Sequence, residues 1–444
     1  MNLPDYFLAD LPPSAELSPV MISAACDTLK RNREKYLLPR STGEIVNILC
    51  AVAADWLRPE NQFRRLALEL GPAETKFSRP VLERGLDDFF RRFTPEQFHA
   101  LLQAELGHPE RLDRFVDGTV ARGPAFLVHV AAGNLPDPAL MSLTLGLLTR
   151  SAQFMKCASG AALLPRLFAH SLYAADPKLG TCLELAVWGG GNADLETALF
   201  AAADCVTVTG ADKTLAAVQS RLPARVRFLG YGQRVSFGLV TREALREESV
   251  AEVVSRAADD VVAWDQNGCL SPHVFYVEER GAVESDQFAA RLAAELMQRE
   301  RTAPRGDILL SAAADIASRR ALYETLAPHR GDVKLWASPD STAWTVVFEH
   351  EVRFQFSCLN RFIYVKPVPD LAAVLRGVDG VCGKVSTVGI AAPPERMQEL
   401  ARQFAHWGAT RICPLGRMQN PPLTWRHDGR PALGDLVTWT GCEA

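Results

Sequence analysis

A chain of 444 residues is long enough for two large domains with smaller appendages. With 48% hydrophobic and 23% charged residues, a net charge of −4 and no long basic stretch, it has a globular composition and no nucleic-acid footprint. No apolar run reaches the roughly 20 residues of a membrane-spanning helix, Met1-Asn-Leu-Pro-Asp-Tyr6 lacks the pattern of a signal peptide, and the ten cysteines, without C-x-x-C pairs or Cys/His metal spacing, read as reduced thiols of a cytoplasmic protein with no metal.

Residues 1–120 are dominated by helical periodicity, with apolar stripes in 19–30, 42–57, 81–90 and 95–106 separated by Pro-Pro and Gly-Pro breaks. Residues 111–120 are short and charged, a linker or an edge strand. The pattern then alternates. Strands are expected at 125–130, 152–156, 183–187, 205–209, 225–229 and 235–240, with helices of ten to fifteen residues between the first of them. That alternation implies βαβ units and a parallel sheet covered on both faces, with ligands at the carboxyl ends of its strands.

A second α/β segment opens with a helix over about 245–262 and the strand Val274-Phe-Tyr-Val277. Helices follow near 286–300 and 314–326, a hairpin joins 333–337 to 343–350 through Ser-Pro-Asp-Ser, and further strands (362–365, 385–390) and helices (370–375, 394–407) precede an irregular tail from Ala409.

Between the helix and strand of that segment lies Trp264-Asp-Gln-Asn-Gly-Cys-Leu-Ser-Pro-His273, a polar, glycine-containing loop. Nine cysteines lie in apolar periodic runs or near the chain ends; Cys269 alone sits where a scaffold presents reactive groups. His273, four residues on with Pro272 intervening, suits a structural or substrate-lining role better than that of a Cys-His base. Asp265 and Gln266 shape the loop or polarise its backbone.

In the first segment, Asn134 follows a strand and precedes Pro136 and Asp137, so it is either a helix N-cap or an amide donor to a carbonyl oxygen becoming anionic at Cys269. Lys156 closes the second strand and is either a solvated lysine or a phosphate or ribose contact. The residues after it, Cys157-Ala-Ser-Gly160, include no carboxylate to repel a ribose 2′-phosphate, which permits NADP. Gly189-Gly190-Gly191 and Thr209-Gly210 are turns suited to close approach by a dinucleotide, though neither is a G-x-G-x-x-G fingerprint.

With these residues in line, the chain resembles the aldehyde dehydrogenase superfamily, and within it the LuxC-type fatty acyl-CoA reductases. The resemblance runs from about Arg122 to the C-terminus and is carried by Gly133-Asn134, Lys156, Thr209-Gly210, Asp265-Gln-Asn-Gly-Cys-Leu-Ser-Pro-His273, Gly408-Ala-Thr-Arg411 and Trp425-Arg-His-Asp-Gly429. It implies an α/β fold with a Rossmann-type cofactor domain, an α/β catalytic domain, a helical N-terminal region and a small β arm that bridges subunits. The corresponding boundaries are a helical region at 1–110, an NAD(P)-binding domain at 111–242, a thiol domain at 243–408 and a tail or oligomerisation arm at 409–444.

By the same resemblance Cys269 is the acyl-accepting nucleophile and Asn134 the oxyanion donor. Lys156, Ser159, Thr209, Gly210 and Gly190 meet NADPH, with NADH possible, while His273 and Gln266 line the substrate. The implied activity is reduction of an acyl-CoA thioester to the aldehyde, in a homo-oligomer served by an acyl-activating synthetase or acyl-transferase.

One departure stands out. Where hydrolytic aldehyde dehydrogenases carry Glu-Leu-Gly-Gly, whose glutamate activates water, this chain reads Phe228-Leu-Gly-Tyr-Gly-Gln233. An acyl-cysteine without that base is expected to await hydride or another acceptor. Rival readings are an aldehyde-oxidising dehydrogenase using Glu184 or Glu196, a reductase of acyl phosphates or protein-bound acyl groups, and a non-catalytic scaffold of an acyl-transfer complex.

Overall fold

The computed structural model describes residues 3–12 and 14–443, which form two compact units. The first takes in the chain up to Thr75, Leu86–Gln233 and the chain from Pro422. The second takes in Lys76–Gly85 and Arg234–Pro421.

The N-terminal helices are α1 (Pro19–Asn32), α2 (Thr42–Trp56), α3 (Gln62–Thr75), α4 (Arg79–Phe90) and α5 (Pro95–Leu106). Their limits follow local chemistry. Ser18 caps α1 with Pro19 at its first position, Ser41 and Glu44 form a reciprocal capping box on α2, and Thr94 caps α5 while Gly107 ends it in the left-handed region at φ 74°.

The alternating segment of the first unit runs β1 (Thr119–Arg122), β2 (Phe126–Val130), α6 (Asp137–Leu148), β3 (Ala152–Cys157), α7 (Leu163–Ala175), α8 (Pro177–Gly180), β4 (Leu183–Val187), α9 (Ala193–Ala202), β5 (Cys205–Thr209), α10 (Asp212–Gln219) and β6 (Arg227–Tyr231). Strands β2 to β6 make a parallel sheet in the order β4-β3-β2-β5-β6, the doubly wound arrangement. One face is covered by α1 and α9, with Ile22, Leu29, Leu199 and Phe200 against Phe126, Phe154 and Val206. Inside the sheet, His129 bridges Thr207 Oγ1 (2.7 Å) and Gln153 Oε1 (2.9 Å), and full burial depresses its pKa to about 4, so the ring is neutral. The charged 111–120 stretch ends in β1, which pairs antiparallel with a tail strand, Thr438–Gly441.

The second unit contains β7 (Val235–Val240), α11 (Val250–Val262), β8 (Pro272–Glu278), α12 (Ser285–Thr302), α13 (Leu310–Leu326), β9 (Val333–Ala337), β10 (Thr345–Glu349), β11 (Phe362–Val368), α14 (Leu371–Gly377), β12 (Val385–Ala391), α15 (Pro394–Trp407) and β13 (Arg411–Pro414), and Thr438–Gly441 of the first unit is β14. Its seven-stranded sheet, β13-β12-β7-β8-β11-β10-β9, is parallel except for the β9–β10 hairpin. Helices α11 and α12 cover one face, and α13, α14 and α15 the other. All seven residues of β8 are buried, as a central strand covered on both faces requires. Helix α11 starts at Val250 rather than near Leu245, because Arg242–Ala244 form a separate 3-10 turn.

Among the described residues, no single helix is long and apolar enough to cross a membrane, no disulfide joins the cysteines, and no cluster of three or more His, Cys, Asp or Glu is arranged to hold a metal ion.

Candidate active site

Helix α11 ends at Val262, and the chain then takes an unusual course. Trp264, Asp265 and Gln266 all lie in the left-handed region, at φ 51°, 48° and 63°. Each such non-glycine residue costs about 1–2 kcal/mol, so the run needs compensating contacts. Asp265 supplies several. Its Oδ1 accepts from Arg361 Nε at 2.8 Å and its Oδ2 from the Gly306 N–H at 3.0 Å. Burial raises the Asp265 pKa, opposed chiefly by the Arg361 charge. The fully buried Gln266 donates from Nε2 to the carbonyls of Pro272 (2.7 Å) and Phe362 (2.8 Å). Its nitrogen thus shapes the loop, while Oε1 is buried without a hydrogen-bond partner.

Next comes a tight turn, in which the Ser271 N–H donates to the Gly268 carbonyl at 3.0 Å and the Gly268 N–H to Ser271 Oγ at 3.2 Å. Gln419 Nε2 also reaches Ser271 Oγ. Ser236 Oγ, at the start of β7, donates to the Cys269 carbonyl at 2.8 Å and accepts the Thr387 N–H at 3.1 Å. Cys269 is partly exposed while Gly268, Leu270 and Ser271 are buried. Elsewhere in the chain, burial pushes the thiols of Cys26, Cys157, Cys182 and Cys413 up to about 12 and that of Cys50 up to about 11. Those five are held as thiols at neutral pH, in the state least able to attack.

His273 is buried and its Nδ1 is engaged: the Ser357 N–H donates to it at 3.1 Å, and Ser357 Oγ lies 3.0 Å away. Burial depresses its pKa to about 4. The imidazole is neutral with its proton on Nε2, flanked by Phe354 and Phe356 with ring centroids 5.8 and 5.7 Å away. Phe356 is largely exposed, at 62%.

In the first unit, the expected cofactor residues collect at the carboxyl ends of the parallel strands. Lys156 is half-buried near the end of β3; burial lowers its pKa, opposed by the Glu196 carboxylate. Ser159, Gly160 and Gly190 are exposed, and a Cβ added at Gly160, Gly189, Gly190 or Gly191 would meet nothing within 4 Å. A Cβ on Gly133 would lie 3.2 Å from the Ala158 Cβ, so the turns after β2 and β3 approach closely. Thr209 ends β5, Gly210 follows, and the N-cap of α10, Ala211, provides no side-chain cap. Open space, small residues and uncapped helix N–H groups fit a dinucleotide pyrophosphate. Asn134 is exposed in the β2–α6 turn and does not cap α6, whose N-cap is Pro136.

Sequence reasoning missed three supports: Arg361, Ser236 and Asp212. The first two are 96 and 33 residues from their partners in the loop, and no local pattern marks them. Asp212, the first residue of α10, accepts the Gln233 N–H at 3.0 Å, putting a carboxylate on the stretch that lacks the hydrolytic glutamate. Of the rival bases, Glu184 accepts the N–H groups of Leu8 and Leu185 at 2.7 and 2.9 Å, and Glu196 accepts the Gly191 N–H at 3.1 Å and pairs with Arg221.

The doubly wound parallel sheet of the first unit and the α/β sheet of the second make an aldehyde-dehydrogenase-like fold. Solved structures agree on the fold. The chain matches the putative aldehyde dehydrogenase PutA from Anabaena variabilis with a TM-score of 0.69 at 14% identity, covering 96% of this chain and 93% of that one. An NAD-dependent benzaldehyde dehydrogenase from Corynebacterium glutamicum gives 0.67 at 14% identity, covering 97% and 92%.

The family model for acyl-CoA reductase (LuxC) matches residues 37–439, and the chain belongs to that family. Among curated relatives, it is 23% identical over 322 residues to long-chain acyl-protein thioester reductase 2 of Photobacterium leiognathi, covering 71% of this chain and 63% of that protein. It is 22% identical over 418 residues to the long-chain acyl-protein thioester reductase of Vibrio harveyi, covering 92% and 84%. The match thus spans under two thirds of the Photobacterium protein's length.

Proposed function

We propose that the chain is a cytoplasmic, nicotinamide-dependent reductase that converts an acyl thioester, fatty acyl-CoA in the first instance, to the aldehyde through an acyl-cysteine on Cys269. The observation that carries this reading is the partial exposure of Cys269 in a loop whose neighbouring residues are buried and held by long-range hydrogen bonds.

In this mechanism the Cys269 thiolate attacks the thioester carbonyl carbon. The tetrahedral oxyanion is received by the Asn134 amide and the Cys269 N–H, the CoA thiolate leaves, and the acyl group remains on sulfur. Ser236, by holding the Cys269 carbonyl, sets the orientation of the peptide that follows the cysteine. NADPH, when bound, supplies hydride to the acyl carbon. Lys156, Ser159, Thr209, Gly210 and Gly190 would hold its phosphates and adenosine ribose. The preference for NADPH is supported by the absence of a carboxylate in Cys157-Ala-Ser-Gly160. Collapse of the resulting hemithioacetal expels the Cys269 thiolate and releases aldehyde. His273, neutral and tied to Ser357, lines the substrate side with Phe354 and Phe356.

Water is a poor competitor because Phe228–Gln233 contains no carboxylate and Glu184 and Glu196 are committed to backbone N–H groups. A second donor is favoured by the relatives' names: acyl groups carried on a protein, delivered by an acyl-transferase or an acyl-activating synthetase. The β1–β14 pair, with Trp439 exposed at 45%, suits a homo-oligomeric contact.

The test is Cys269→Ser assayed with NADPH and a long-chain acyl-CoA, alongside intact-mass detection of the acyl adduct. Turnover should fall by at least about 10³-fold with loss of the adduct. Turnover at the wild-type level excludes the nucleophile. Comparing acyl-CoA, acyl phosphate and acyl-protein donors assigns the natural substrate.

A further inference from the structure

Twelve described non-glycine residues have a left-handed backbone, and six of them fall in just two runs, Trp264–Gln266 and Leu359–Arg361. The second run, at φ 56°, 53° and 66°, immediately precedes β11. The two runs are joined side chain to side chain. The Arg361 guanidinium, fully buried, meets Asp265 Oδ1 through Nε at 2.8 Å and through a terminal nitrogen at 2.7 Å, and its other arm reaches Glu300 at 2.9 Å. Asn267 Nδ2 donates to Asn360 Oδ1 at 3.3 Å, and Gln266 Nε2 donates to the Phe362 carbonyl at 2.8 Å.

A helix-to-strand connection needs none of this. Bulky residues in left-handed conformation persist only where surrounding contacts over-determine them. Apart from the Glu300 arm of Arg361, these ties land on residues 265–267, two to four positions before the cysteine, while the Cys269 carbonyl is held separately by Ser236 and the Gly268 N–H by Ser271. We infer that the two runs form a clasp that fixes the N-terminal approach to Cys269, with Arg361 and Asn360 as positioning residues for its sulfur. The inference rests on the reading of Cys269 as acyl acceptor, and its test separates the two.

The informative variants are Asn360→Gly and Arg361→Lys. Glycine takes φ 53° freely, so Asn360→Gly keeps the backbone and deletes the tie to Asn267 together with the local bond from Asn360 Nδ2 to the Cys358 carbonyl. Arg361→Lys keeps the charge and loses the planar fork, and Arg361→Gln removes both. The full chain is alkylated with iodoacetamide across a pH series, and the rate at Cys269 is read against that at the exposed Cys382 by peptide mapping. Acylation by palmitoyl-CoA is followed by intact mass, NADPH affinity by fluorescence and folding by thermal melting.

Clasp function requires the Cys269 pH–rate profile to move in Asn360→Gly while Cys382 is unaffected, with acylation slowed about fivefold, the worth of one hydrogen bond. Arg361→Lys should slow acylation by about 10²-fold and be less damaging than Arg361→Gln, with NADPH affinity held within about twofold. A folded Asn360→Gly protein with wild-type alkylation profile and acylation rate overturns the clasp, whether or not the Arg361 variants fold. Absence of a palmitoyl adduct on wild-type Cys269 overturns the acyl-acceptor reading instead, while the alkylation profiles still decide the clasp.

Discussion

The turns of the first unit and the cysteine loop of the second solve opposite problems. Around Gly133, Gly160 and Gly189–Gly191 the chain is small and largely exposed, and most of these glycines face open space. Around Cys269 it is crowded, with Trp264, Asp265, Gln266, Gly268, Leu270 and Ser271 buried and the Asp265 carboxylate, the Gln266 nitrogen and the Gly268 N–H each committed to a partner. A cofactor recognised by backbone N–H groups and helix ends needs room and little else. A side chain that must form and release a covalent bond needs its position held on both sides. Chemistry done by backbone is therefore carried by absent side chains, and chemistry done by a side chain by distant ones.

The largest effect expected within this comparison, after loss of Cys269 itself, is at the one turn residue given a side-chain task. Asn134→Ala should lower kcat by about 10²–10³-fold, the usual loss for one oxyanion donor. NADPH affinity should be unchanged and thermal stability little changed, because Asn134 is exposed. A kcat within threefold of wild type would strip Asn134 of its role and leave the first unit as a cofactor platform only.

The next pair sets a glycine of each region against the other. A methyl on Gly85 would overlap the Trp264 indole, so Gly85→Ala should destabilise by about 1–3 kcal/mol and slow acylation of Cys269, as the left-handed run is displaced. Gly190→Val meets open space, and its stability should stay within about 0.5 kcal/mol of wild type. If Gly190 faces the cofactor, NADPH affinity nevertheless weakens. Thermal melts and NADPH titrations of both variants measure the contrast; a Gly190→Val protein that binds NADPH normally would detach that turn from the cofactor.

How much of this was readable from residues alone differs in the same way. The alternation of short apolar runs and helical stripes marked nearly every strand of both sheets, because parallel strands buried on both faces leave a continuous hydrophobic trace. The loop around Cys269 was conspicuous as a polar interruption between two such traces. Its braces were not. Arg361 lies beside a strand as one more arginine, and only the folded chain brings it to Asp265. Likewise the charged 111–120 stretch could not announce its partner, since β14 is more than 300 residues away. The left-handed runs were invisible because Trp, Leu and Arg carry no preference for that conformation; tertiary contacts overrule their propensity.

A smaller effect tests the packing of the first unit and one rival mechanism together. Burial pushes the Glu184 carboxyl from its ordinary 4.5 up to about 7. Between those values the unfolded chain is ionised while the folded chain still holds the proton. Stability from this group is therefore intact below about pH 4.5, falls as pH rises towards 7 and is fully lost above it. Glutamine retains the oxygen that accepts from Leu8 and Leu185 without the titration. Glu184→Gln should gain about 1–2 kcal/mol relative to wild type between pH 5 and 8, read as a widening difference in melting temperature, with acyl-CoA reduction unchanged. A constant difference would mean that Glu184 is ionised throughout, and loss of activity would restore it as a candidate base.

The smallest expected effect bears hardest on the proposed chemistry. The Asp212 carboxylate is bonded to the Phe228–Gln233 stretch through the Gln233 N–H. If it activated water at the acyl-cysteine, the chain would be a hydrolytic dehydrogenase in disguise, and the missing glutamate would mean little. Its geometry argues otherwise: Oδ1 is spent on the backbone, and a Cβ on Gly232 would collide with that same oxygen, so the carboxylate is pressed against the turn. An acid so placed serves as a staple between the start of α10 and the end of β6. Asp212→Asn should therefore leave the ratio of aldehyde to carboxylate formed from a preloaded acyl-enzyme within about twofold of wild type, as expected for a residue outside the reacting groups, while modestly lowering stability. A fall in carboxylate release without a fall in reduction would identify Asp212 as the water-activating base, and the open turns of the first unit would then carry side-chain chemistry after all.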